Sequence, residues 1–168
     1  MHSLPRLFLL ITCAAATAAT AEGSVALVPQ LLVGTAGFEP GLAVEWRSSA
    51  IQPVILRPEA FVNEDGRVGA GGSVLWDVAP AVSLPRQQSL AIGPRVVYHN
   101  AEETGWEADV MATWSMDLSS GSSPWRHSVG LLAAVGVRED RPEDDLFDQS
   151  RDDLALGASG GGFYAFRF

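Results

Sequence analysis

Two of the three histidines sit beside groups with which an imidazole could do chemistry. His127 precedes Ser128, and His99 precedes Asn100, with Glu102 and Glu103 close behind. A nucleophile needs its base within hydrogen-bonding reach. Adjacent side chains on an extended strand point to opposite faces, so His127 and Ser128 cannot form that pair. No serine lies two residues from His99. Residues 139–153 contain eight carboxylates, whose oxygens suit hard divalent cations. The spacing and central glycine of an EF-hand loop are missing, so the stretch reads as a solvated loop. Gly160, Gly161 and Gly162 lack the lysine and following helix of a phosphate cradle, and read as a bend or close packing. No catalytic residue, metal ligand set or cofactor is expected.

What the sequence does offer is charge at every second position of otherwise apolar stretches. Over 106–118, one face carries Trp106, Ala108, Val110, Ala112, Trp114, Met116 and Leu118. The other carries Glu107, Asp109, Met111, Thr113, Ser115 and Asp117. The run is longer than a typical soluble strand. It fits a tilted barrel strand with an apolar lipid face and a polar lumen face. Trp106 and Trp114 are roughly 26 Å apart along such a strand. Tilt reduces this to roughly 20 Å along the membrane normal, near the height of an apolar band between two aromatic girdles.

Seven further segments complete an even count: 24–34, 41–48, 51–62, 67–79, 88–99, 125–138 and 157–168. The third is the weakest, because Pro53 and Pro58 cannot donate to a ladder. The charges expected on lumen faces are Glu45, Arg47, Asp77, Arg95, Glu107, Asp109, Asp117, Arg126, Arg138 and Arg167. An eight-stranded interior is only wide enough for side chains to fill. Opposite charges inside it are expected to pair into a plug. A narrow gated pore is the alternative. The connections 48–50, 80–87 and 119–124 alternate with those at 35–40, 63–66, 100–104 and the long 139–154. The outward aromatics then sort into two levels. Trp46, Trp76, Trp114 and Trp125 fall near the end that holds the termini, and Tyr98 and Trp106 near the other.

Bulk properties agree. A hydrophobic content of 47% with 18% charge is not that of a disordered chain. A net charge of −9, with no lysine, argues against nucleic acid as a partner. Arg6, the apolar run from Leu7 to Ile11 and the small residues Ala19, Thr20 and Ala21 form a secretory signal pattern, with cleavage expected after Ala21. The lone Cys13 would leave with it, unless Cys13 itself is a lipoprotein processing site. No later window has the 18 or more uninterrupted apolar residues of a membrane helix. A membrane location therefore requires a closed barrel.

The chain ends G-A-S-G-G-G-F-Y-A-F-R-F. Tyr164, Phe166 and Phe168 share one face, and Phe163, Ala165 and Arg167 the other. This ending resembles the terminal strand of small Gram-negative outer-membrane β-barrels, such as the outer-membrane protein A transmembrane domain. The resemblance implies an all-β, eight-stranded antiparallel up-and-down barrel spanning 22–168, located in the cell outer membrane. It implies outer-membrane lipid and lipopolysaccharide as surroundings, and the barrel-assembly machinery as a partner that reads Tyr164, Phe166 and Phe168 as its signal. The role expected is structural or adhesive, carried by the outer loops. Two alternatives stand beside it. A lipid A-modifying enzyme would place His99 beside a hydrophobic slot, although the His-x-Ser pattern of the lipid A deacylase family is absent. A secreted lipocalin-like barrel would invert the alternation around an apolar ligand.

Overall fold

A computed structural model describes residues 23–34, 37–48, 53–62, 66, 68–100, 105–119, 125–140 and 153–168. The signal segment expected over 1–21 lies outside them. Eight strands follow in chain order: β1 (Gly23–Gly34), β2 (Gly37–Ser48), β3 (Val54–Val62), β4 (Val68–Asp77), β5 (Gln88–Asn100), β6 (Gly105–Asp117), β7 (Arg126–Asp140) and β8 (Asp153–Arg167). Each pairs antiparallel with its sequence neighbour, and β8 returns to β1 to close the barrel. Closure leaves no sheet edge over most of the wall.

The register is staggered. From Val28 on β1 it runs through Ala43, Glu59, Gly71, Val97, Glu107 and Arg138 to Ala155 on β8. The seam instead joins Leu27 to Phe166, about ten residues lower on β8. Such a shear is what tilts the strands of a closed barrel.

Alternation along every strand divides the wall into two faces. The outward face is apolar, with Leu27, Val74, Ile92, Val96, Val110, Leu131 and Val135 all exposed. The inward face mixes small and apolar residues with most of the charges. Ala26, Val28, Leu32, Ala43, Ile55, Leu75, Met111, Leu132 and Ala134 pack there beside Arg57, Glu59 and Arg95.

The largest departures from the expected strand limits fall on β2, β3 and β8. The 35–40 connection is mostly strand. β2 begins at Gly37, where a φ of 91° suits glycine, and Gly37 pairs with Gly34. Phe38 therefore faces outward and Glu39 is buried inside. β8 starts at Asp153 rather than at 157, so Leu154, Ala155 and Leu156 belong to it. β3 is a true strand, but Pro53 precedes it in a turn.

Pro58 stays within β3 because its ring faces outward and only one of its ladders is interrupted. It pairs with Gly72 on β4, while the β2 pairing skips from Ala43–Glu59 to Trp46–Leu56. Pro29 and Pro94 do the same. Pro29 keeps Leu42 but sits at a gap in the β8 ladder, and Pro94 keeps Val110 but sits at a gap in the β4 ladder. The missing N–H costs one hydrogen bond in each case.

Candidate functional site

The charged interior is the most organised feature of the molecule. At its centre is Arg57, which has no exposed side-chain surface. It donates to Gln30 Oε1, and its Nη1 lies 3.5 Å from Glu45. Gln30 Nε2 donates to Glu59 at 2.7 Å. The other Glu59 oxygen takes the Nε–H of Arg95. Arg95 Nη1 then reaches Asp109 at 2.7 Å and Glu107 at 3.2 Å. Five strands, β1, β2, β3, β5 and β6, thus contribute to one belt of hydrogen bonds and ion pairs across the lumen.

Two rings brace the belt. Arg57 lies over Phe163 at 5.2 Å, and Arg95 over Phe61 at 5.9 Å, both cation–π distances. Each ring needs a glycine opposite. Phe61 is paired with Gly69, where a Cβ would come within 2.2 Å of the ring. Phe163 is paired with Gly130, where the gap would be 2.3 Å.

Toward the end that holds the termini the network continues. Glu45 faces Arg47 at 3.7 Å and Arg167 at 3.6 Å. Arg47 donates to Asp77 at 3.1 Å and to Ser89 at 3.3 Å. Asp77 Oδ1 also accepts from Ala79 N–H at 3.0 Å, which starts the turn after β4. Next to it is a cavity of about 460 Å³, lined by Ser24, Arg47, Val54, Ile55, Asp77 and Pro80 among others. At the far end, His99 lies 3.8 Å from Glu107 and edge-on to Phe61.

The sequence-derived lumen set divides on this geometry. Glu45, Arg47, Asp77, Arg95, Glu107, Asp109 and Arg167 lie in the connected interior. Arg126 does not: it sits at the rim, 3.6 Å from Asp117, with 66% of its side chain exposed. It is the first residue of β7, past the point where neighbouring strands enclose it. The alternation missed Arg57, Glu59 and Glu39. Arg57 and Glu59 flank Pro58, and Glu39 precedes Pro40, so each looked like part of a break. The signal that could have found them is that Arg57, Glu59 and Phe61 alternate with Leu56, Pro58 and Ala60.

The outward aromatics gather at the two ends. Trp46, Trp76, Trp114, Trp125, Tyr164, Phe166 and Phe168 lie toward the termini. Tyr98 and Trp106 are direct register partners near the other end, where Phe38 also lies. The C-terminal aromatics are gripped by β7. Trp125 stacks on Phe166 at 5.3 Å and meets Phe168 edge-on at 6.1 Å. His127 lies edge-on to Phe166 at 4.9 Å, and its Nδ1 bonds the Tyr164 hydroxyl. Phe168 itself closes the seam: its N–H donates to Val25 O at 3.0 Å, and its carbonyl accepts from Val25 N–H at 3.4 Å.

No protein-family model and no curated protein matches the chain. Among solved structures, the barrel is similar to the crystal structure of Neisserial surface protein A, at 11% identity and a TM-score of 0.44. The alignment covers 86% of this chain and 94% of that one.

Proposed function

We propose that this chain is an outer-membrane β-barrel with a plugged lumen, acting as a non-enzymatic structural or surface-interaction protein. One observation carries the location. The outward positions of all eight strands hold no Asp, Glu or Arg from their terminal ends up to Val137 on β7. A soluble barrel puts charge on that face, whereas an Arg at a bilayer midplane costs about 2–4 kcal/mol. Exposed apolar residues on strand after strand, such as Leu27, Val74, Ile92, Val110 and Leu131, fit a lipid-facing wall better than the surface of a soluble monomer.

Termini on the periplasmic side put the 139–153 acidic stretch outside the cell. The Trp125–Phe166–Phe168 cluster then lies at the inner interface, and the Tyr98–Trp106 pair at the outer one. The belt through Arg57, Glu59 and Arg95 favours a closed interior over a pore. The inward charges speak against a lipocalin-like cavity. His99 faces Glu107 within the lumen rather than the outer leaflet, which favours a non-enzymatic reading over lipid A chemistry. Fractionation with unheated electrophoresis tests the location. A compact, heat-modifiable band in the outer-membrane fraction is the expected result. A soluble periplasmic protein with no such band would overturn the proposal.

A further inference from the structure

Charge is not evenly shared between the two halves of the lumen. Among the described residues, the half nearer the termini holds Arg47, Arg57 and Arg167 against Glu45 and Asp77. The other half holds Arg95 and Arg138 against Glu39, Glu59, Glu107 and Asp109. Arg126 and Asp117 pair at the rim and leave this balance unchanged. In the arginine-rich half, Glu45 alone faces three guanidiniums, Arg57 at 3.5 Å, Arg167 at 3.6 Å and Arg47 at 3.7 Å. Donors there outnumber acceptors: the Nε of Arg47 and the Nε and Nη1 of Arg57 are buried without a hydrogen-bond partner. A buried donor left unpaired carries its full desolvation cost. This half of the lumen therefore favours one more acceptor.

The cavity of about 460 Å³ lies beside these groups, and its size is that of a small-molecule site. Its polar lining includes Ser24 and Arg47, which are direct register partners. Arg47 keeps 23% of its side chain exposed. A guanidinium with a neighbouring hydroxyl suits a planar carboxylate. Asp77, 3.1 Å from the same guanidinium, disfavours a second negative charge on the ligand, so a monoanion fits better than a phosphate dianion. Pro53, Val54, Ile55 and Pro80 supply apolar lining for the rest of the molecule.

We propose that this cavity binds a small monocarboxylate with an apolar body, its carboxylate on Arg47 and Ser24 and its body against Val54, Ile55 and Pro80. The site rests on closure of the barrel and not on its location. It is tested on the purified, folded full chain in an uncharged detergent, so this proposal and the outer-membrane reading fail separately.

The probe is para-fluorobenzoate, followed by fluorine NMR. The para-fluorobenzyl alcohol and the para-fluorobenzylammonium ion serve as its neutral and cationic counterparts, and protein-free micelles give the background. Saturable binding of the carboxylate is expected, with both counterparts weaker by about tenfold or more. Arg47→Gln removes the cation. Pro80→Trp places a large ring at the exposed lip of the cavity, outside the ion-pair network. Each variant should weaken the carboxylate by about tenfold or more while keeping the heat-modifiable band. If Arg47→Gln loses that band, Pro80→Trp alone decides. Equal uptake of the three probes would reveal partition into the micelle and overturn the proposal. So would carboxylate binding unchanged in either folded variant, or a preference for the ammonium ion, which would assign the cavity to Asp77 instead.

Discussion

Arg57 shows how much one buried side chain can hold. It touches Gln30 and Glu45 by polar contacts and Phe163 through its ring face. Removing one partner from a buried ionic network costs about 3–5 kcal/mol, because the other charges stay buried without compensation. Arg57→Ala should therefore lower unfolding stability by that amount, read as the urea midpoint of the barrel in detergent. Arg126→Ala, at the exposed rim, should leave the midpoint nearly unchanged. A common loss in both would show that position in the network does not matter. Gly69 makes the complementary case. Gly69→Ala places a methyl group 2.2 Å from the Phe61 ring, and overpacking of this kind costs about 1–3 kcal/mol. The double variant with Phe61→Leu should recover part of the loss, as expected for residues in contact.

At the level of the strand, the last residue does two jobs that can be separated. Its backbone closes the β1–β8 seam through Val25, and its ring packs against Trp125 and Phe166. Deleting Phe168 removes both, whereas Phe168→Ala keeps the seam. If the ring is the assembly signal, both variants should show reduced outer-membrane levels in cells. Only the deletion should also lower the detergent melting temperature, through loss of the two seam hydrogen bonds, which are worth about 0.5–1.5 kcal/mol each. Wild-type surface levels for Phe168→Ala would remove the signal role from the side chain. The prolines act at the same level. Pro29, Pro58 and Pro94 stay in strands because each loses a single ladder bond and turns its ring to the apolar exterior.

For the whole barrel, the arrangement of faces predicts opposite responses to one charge. Val110 is outward and 56% exposed, midway along β6. Val110→Arg should cost about 2–4 kcal/mol for folding into lipid vesicles. A soluble barrel would tolerate it, since an exposed surface substitution stays within about 0.5 kcal/mol. An unchanged folding yield in vesicles would therefore count against a lipid-facing wall. The belt from Gln30 to Asp109 further predicts no steady conductance in planar bilayers. Discrete, long-lived channels from the native chain would show that the belt opens.

Most of the architecture is legible in the sequence, because period-two alternation, turn residues and strand count are local properties. Trp106 to Leu118 shows both faces in sequence, and a one-residue slip there would turn carboxylates onto the apolar outer face. The closing pair of β8 with β1 was likewise implied by an even count. What the sequence could not reveal was which inward charges meet, since partners such as Gln30, Glu59 and Arg95 lie on different strands and are brought together by the shear. Arg57 and Glu59 were hidden by the proline between them, and only closure on both sides shows that β3 survives it. Shear also carries Leu154 and Leu156 of β8 beyond the last β1 pair, Gly34 with Ser159. Alternation along a chain sets which face a residue occupies, whereas its height and its neighbours depend on how all eight strands are staggered together.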